Sequence, residues 1–151
     1  CFEALGRDRR AKELYTLYLQ AFGIQAERMG PSGVPLLHRF ARECLRLGLL
    51  KQEALAAARK ATRAYPGNLS FKVTLARAYL ENGRAEGAVQ ILRGVLQQRG
   101  DDFETQFLLG RAYATLDERE KALEAFRAAL QHQPGNRQVE EAIAKLTSKI
   151  Q

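Results

Sequence analysis

The chain has 151 residues, 46% hydrophobic and 27% charged, with no low-complexity tract, so a disordered chain is excluded and one domain is the expectation. Ala, Leu, Glu, Gln and Arg dominate while Val, Ile and Thr are sparse and Trp is absent, which is the composition of an all-α fold. The formal charge of +7 is uneven: residues 1–65 hold 12 Arg and Lys against 6 Asp and Glu, residues 66–151 hold 12 against 11, and no apolar run has the roughly 20 residues of a membrane span.

Two cysteines, Cys1 and Cys44, have neither the number nor the spacing of a disulfide framework or a zinc site. The chain opens on Cys1 without Met, which reads as a processed or excised piece of a longer protein. A lipoprotein would also begin at Cys, but Phe2 in a patterned segment replaces the polar tether such proteins carry.

In chain order, residues 1–23 read as part of a helical hairpin. CFEALGRDRRAKEL aligns on AYLENGRAEGAVQI, placing Cys1 on Ala78, Phe2 on Tyr79, Gly6 on Gly83 and Ala11 on Ala88. A turn is therefore predicted at Gly6, then a second helix with Tyr15 and Tyr18 in core places, ending at Phe22-Gly23. Residues 24–33, IQAERMGPSG, exceed the repeat spacing and read as an inserted loop with a turn at Gly30-Pro31-Ser32-Gly33.

Residues 34–67 form the first full helix pair, closed by Pro66-Gly67-Asn68. In residues 68–101, Asn68 caps LSFKVTLARAYLE, Asn82-Gly83 breaks it, and a second helix runs from about Ala85 to Gln98 before Gly100-Asp101. Residues 102–136 repeat the plan: Asp102 caps Phe103 to Thr115, Asp117 opens the next helix, and Pro134-Gly135-Asn136 closes it. In residues 137–151 a single amphipathic helix from Gln138 to Ile150 suits the end of a stack.

These segments are copies of one unit. LARAY at Leu75–Tyr79 returns as LGRAY at Leu109–Tyr113 after 34 residues, and the same step links Ala88 to Ala122, Leu96 to Leu130 and Gly100 to Pro134. FAREC at Phe40–Cys44 is a weaker copy 35 residues upstream, its extra residue assigned to the turn Leu47–Leu50. A 34-residue period of paired helices is the mark of a repeat array whose units cannot bury their apolar faces alone.

The pattern resembles the tetratricopeptide repeat family. Leu109, Gly110, Tyr113, Ala122, Phe126, Ala129 and Pro134 stand where that family's pattern wants them. Leu75, Ala76, Tyr79, Ala88, Leu92, Val95 and Gly100 follow in the second copy, and Phe40, Ala41, Cys44, Ala54, Ala58, Ala61 and Pro66 in the first. The family's leading Trp is missing, with Lys72 and Gln106 in its place. The resemblance implies a right-handed superhelix of helical hairpins, Gly110, Ala76 and Ala41 being small where they face Ala122, Ala88 and Ala54. It also implies a concave groove lined by first helices, to which it assigns His38, Arg42, Arg46, Val73, Arg77, Leu80, Phe107, Arg111 and Lys145.

Such a groove is basic with apolar patches and suits an acidic peptide or protein partner. Against it stands the plainer alternative that these arginines are solvated and held by neighbours such as Glu81. The chaperone-tail clamp of one family branch is absent, since its places hold His38, Arg42, Thr74, Glu104 and Leu108. No phosphate-binding glycine loop or ligand-spaced His or Cys pair exists, so no catalytic residue, cofactor or metal is expected. His132 reads as a surface residue near a helix end and Cys44 as core.

A nucleic-acid module using Arg7, Arg9, Arg10, Lys12, Arg59, Lys60 and Arg63 is the alternative function, disfavoured because aromatics are not interleaved with the cations. Self-association through the N-terminal end, or its cover by preceding repeats in the complete protein, is the further expectation, because Tyr15 and Tyr18 would sit on an uncovered face. Arg outnumbers Lys by 17 to 7, which fits a GC-rich bacterium, where arrays of this family act as scaffolds in secretion, pilus or polysaccharide assembly.

Overall fold

Several of the predicted turns and caps can be followed in the backbone. The computed structural model describes the backbone of residues 2–148 and the side chains of residues 9–98 and 100–148. Helices α1 (Phe2–Arg28), α2 (Val34–Leu47), α3 (Lys51–Ala64), α4 (Leu69–Glu81), α5 (Ala85–Arg99), α6 (Phe103–Thr115), α7 (Arg119–His132) and α8 (Arg137–Ser148) follow one another, with a 3-10 turn at Gly30–Gly33. Among the described residues there is no strand, and the fold is all-α. The chain divides into two compact units, residues 1–74 and 75–151, with the boundary inside α4.

One turn geometry joins each helix to its return partner. The first helix of a pair ends with a residue of positive φ: Gly48 (68°), Gly83 (72°) and Asp117 (60°). The amide of the residue after it then reaches back five positions, Leu49 to the Cys44 carbonyl, Arg84 to Tyr79 and Glu118 to Tyr113, each at 2.9 Å. This is a Schellman closure, which satisfies carbonyls that the helix end would otherwise leave bare. The expectation for Asp117 is thereby corrected: it closes α6 rather than opening α7, whose N-cap Glu118 makes no side-chain cap bond. The extra residue of the first copy is Leu50, at φ 48°, standing between the closure and α3.

At the other ends, side-chain caps do the work. Asn68 Oδ1 accepts from the Phe71 amide at 3.2 Å, Asp102 Oδ1 from Thr105 at 3.1 Å and Asn136 Oδ1 from Val139 at 3.4 Å.

In the unit of residues 1–74, α1 departs from the sequence expectation. It is one unbroken helix, so Gly6 makes no turn, Phe22-Gly23 makes no stop, and residues 24–28 of the expected loop are helical. The residues after Gly6 are mostly good helix formers, and the helix continues through it. Tyr15 and Tyr18 are 54% and 63% exposed rather than core; the inward stripe is Leu19, Gly23 and Ala26. Gly23 serves packing, since a Cβ there would lie 3.1 Å from the Phe40 ring. Gly33 serves a backbone approach, as a Cβ would come within 1.9 Å of the Ala26 carbonyl oxygen.

In the unit of residues 75–151, Phe126 is the centre of packing, with Ala122, Ala129 and Val139 buried around it and Phe103, Phe107, Tyr113, Leu130, Ala142, Ile143 and Leu146 against them. α8 thus covers the face left by α7. A Cβ on Gly110 would meet the Phe126 ring at 2.5 Å, so the neighbour that keeps this position small is Phe126 and not Ala122. The equivalent pairs in the other copies are Ala76 with Leu92 and Ala41 with Ala58, all buried. The largest partner coincides with the smallest residue on the first helix, as close packing requires.

Candidate functional site

Of the residues assigned to a groove, four lie in the unit of residues 1–74. His38 is half-buried on α2, with Nε2 2.9 Å from the Thr74 hydroxyl and its ring centroid 4.3 Å from that of Phe71. Burial first, and then the Arg42 guanidinium, hold its imidazole below the ordinary 6.5, while a hydrogen bond with the Ser70 backbone acts the other way. His38 is therefore a neutral packing group between α2 and α4 rather than a free groove cation. Val73 is buried, which removes it from any ligand-contacting surface. Arg46 meets Glu43 at 3.0 Å on the surface, and Arg42 is exposed with no ion pair among the described residues.

In the other unit, α4 and α6 bring four charges together in a crossed arrangement. Arg77 on α4 meets Glu104 on α6 at 3.3 Å, and Arg111 on α6 meets Glu81 on α4 at 2.8 Å. The repeated arginines thus lie on one face, but each has a carboxylate of the facing helix against it. The face is a lattice of alternating sign, which corrects the expectation of a purely basic ladder here. Arg77 Nε is buried and makes no hydrogen bond among the described residues. Leu80 is half-buried beside this lattice and Lys145 is exposed near the end of α8. Phe107 belongs to the core instead: it stacks on Phe103 at 5.8 Å and lies 6.0 Å from Phe126.

The clamp places are spoken for in the same way. Thr74 is occupied by His38, Glu104 by Arg77, and Leu108 is fully buried. His132 is held rather than free, its Nε2 lying 3.0 Å from Asp101 Oδ2. Cys44 is buried, and desolvation, with Glu53 and Glu43 adding to it, pushes its thiol up to about 12, so it is inert as a nucleophile. Among the described residues no His, Cys, Asp and Glu side chains gather as metal ligands, and no helix is long and apolar enough to cross a membrane.

Sequence reasoning missed two clefts between second helices. One, of about 350 Å³, opens between α1, α2 and α3 over buried Leu37, Phe40 and Ala57, with Glu27 and Glu53 exposed beside it. The other, of about 550 Å³, lies between α5, α6 and α7 and carries Arg93 and Lys121 with Leu109 and Tyr113. Glu53 and Lys121 stand at the same repeat position, one residue before the conserved-spacing Ala54 and Ala122, so equivalent clefts bear opposite charge. That contrast was available from the aligned copies.

The tetratricopeptide repeat family model matches residues 52–104 and 80–146, more than half of the chain. The chain belongs to the tetratricopeptide repeat family. In fold it is similar to the first TPR domain of the human RPAP3 protein, at 19% identity, covering 79% of this chain and 93% of that one with a TM-score of 0.69. It is also similar to the second TPR domain of human RPAP3 in complex with the HSP70 peptide SGPTIEEVD, at 20% identity, covering 78% and 98% with a TM-score of 0.66. The crystal structure of MamA shares 18% identity, with 95% of this chain and 83% of that one covered and a TM-score of 0.74. No curated protein matches the chain in sequence. At these identities the solved structures establish the tetratricopeptide fold and leave the ligand of this chain to its own residues.

Proposed function

We propose that this tetratricopeptide repeat protein is a non-catalytic protein-interaction module whose α4 and α6 face takes an acidic segment of a partner, within a larger assembly of the bacterial secretion, pilus or polysaccharide type. The crossed lattice of Arg77, Glu104, Glu81 and Arg111 carries this reading. Half-exposed ion pairs contribute about 0 to 1 kcal/mol each, so a partner's carboxylates displace Glu104 and Glu81 at little cost. Meanwhile the pairs hold both guanidiniums extended along one face, which lowers the ordering cost of binding. The complex of a similar fold with a peptide ending in EEVD supports an acidic ligand. The absent clamp argues that recognition here runs along the side chains of the segment rather than through a terminal carboxylate.

The test is affinity capture from the source organism with wild type and with Arg77→Gln plus Arg111→Gln. Loss of the captured partner with an unchanged helical spectrum is the expected result. Full retention of every partner would place binding elsewhere and make these arginines solvated surface.

A further inference from the structure

The cleft between α1, α2 and α3 lies wholly within the unit of residues 1–74, and its charge runs against that of its surroundings. Leu37, Phe40 and Ala57 make a buried apolar floor, while Glu27 and Glu53 stand exposed at the rim. Residues 1–65 hold 12 Arg and Lys against 6 Asp and Glu, yet two of those acids line the cleft and, among the described residues, none of the cations does. Neither glutamate is explained by its helix. Glu27 stands one residue before the end of α1, where the macrodipole disfavours a negative charge. Glu53 lies in the first turn of α3, where an acid is favoured, but α5 and α7 meet that preference one repeat position earlier, at Glu86 and Glu120. The position of Glu53 itself holds Gly87 and Lys121 in the other copies, so the packing of a helix pair requires no carboxylate there. Leu50 forms a wall of the same cleft. It is the extra residue of the first copy, a bulky side chain held at φ 48°, and backbone states of that cost gather at ligand-binding sites.

We infer that this cleft binds a basic segment of a partner protein, which seats one apolar side chain on the floor and sets Arg or Lys residues on either side of it against Glu27 and Glu53. An apolar floor inside a charged, solvent-exposed rim is the anatomy of a protein interface, where a buried anchor supplies affinity and the rim supplies selection. The charge chooses the partner: both carboxylates repel an acidic segment and attract a basic one. Glu27 has Lys60 at 3.9 Å across an exposed site, a pair that yields readily to an incoming guanidinium. The equivalent cleft between α5, α6 and α7 carries Arg93 and Lys121 against Glu124, so it disfavours the same segment and confines it to the unit of residues 1–74. The site differs in sign and in place from the α4 and α6 face, and the two readings stand or fall separately.

Selection of phage-displayed random dodecapeptides on the protein tests this, with counter-selection on Ala56→Phe, a substitution at an exposed residue of the cleft whose ring would fill it. The expected peptides carry a Leu, Ile, Met or Phe with Arg or Lys close on both sides, and they bind Arg77→Gln plus Arg111→Gln as well as wild type. In fluorescence polarisation with a selected peptide, Glu27→Gln plus Glu53→Gln should weaken binding about tenfold. Glu27→Lys plus Glu53→Lys should select acidic flanks instead, with an unchanged helical spectrum because both residues are exposed. Failure to enrich basic-apolar peptides, binding indifferent to Glu27→Gln plus Glu53→Gln, or the same basic flanks selected after charge reversal would each overturn the inference. So would a concentration-dependent dimer in sedimentation that Ala56→Phe dissolves, since the cleft would then belong to a second copy.

Discussion

Gly110 and Phe126 show how much a single side chain decides in this fold. A methyl at 110 would enter the Phe126 ring, whose nearest atoms include the one closest to its backbone attachment, so the ring has little room to swing away. Gly110→Ala should therefore destabilise the protein by about 1 to 3 kcal/mol through overpacking, and Phe126→Leu added to it should recover part of the loss, as the Ala76 and Leu92 copy already does. Gly87→Ala should be neutral or stabilise by up to about 1 kcal/mol, because the added carbon meets Tyr79 at an ordinary 3.7 Å inside a helix. Denaturant unfolding of the three variants checks this.

His38 supplies a second residue-scale prediction. Its folded pKa lies below the ordinary 6.5, so the unfolded chain binds the proton first as pH falls. Its contribution to stability is full above about 6.5 and is lost as pH drops through the folded value. His38→Gln should flatten that part of the stability–pH curve in urea unfolding measured stepwise below neutrality.

At the scale of elements, caps and turns were legible where the chain writes them in residue types with one job. Pro-Gly-Asn and Asp102 announce helix starts, because few other side chains satisfy orphan amides so well. Asp117 was misread for the same reason: Asp is a good cap, but here it occupies the positive-φ closure that Gly48 and Gly83 fill in the other copies. Asp117→Gly should accordingly raise the thermal midpoint by relieving that backbone cost, and a lowered midpoint would show that its carboxylate makes a needed contact. α1 was illegible by alignment, since the Gly-Arg pair at Gly6 imitates Gly83-Arg84 while the break depends on a packing partner rather than on local sequence. Reading α1 by its own periodicity would have shown Leu14, Leu17, Ala21 and Ile24 on the side away from Leu19, Gly23 and Ala26.

At the scale of the molecule, the repeat period, the helix pairing and the packing of α8 on α7 were written in the sequence because tandem units must bury matching faces. The groove residues were less so. Repeat register placed Arg77 and Arg111 on a common face, yet nothing in a single copy signals that Glu104 and Glu81 lie across from them, because those pairs join residues 27 and 30 positions apart. Val73 and Phe107 were lost to the core for a related reason: a helix between two neighbours buries more than half its circumference. The central claim, that this face exchanges its own carboxylates for a ligand's, is tested most directly by titrating an acidic peptide from the captured partner against wild type and against Glu81→Gln plus Glu104→Gln. Removal of the competing carboxylates should tighten binding several-fold and Arg77→Gln plus Arg111→Gln should abolish it; weaker or unchanged binding in the glutamate variant would contradict the account.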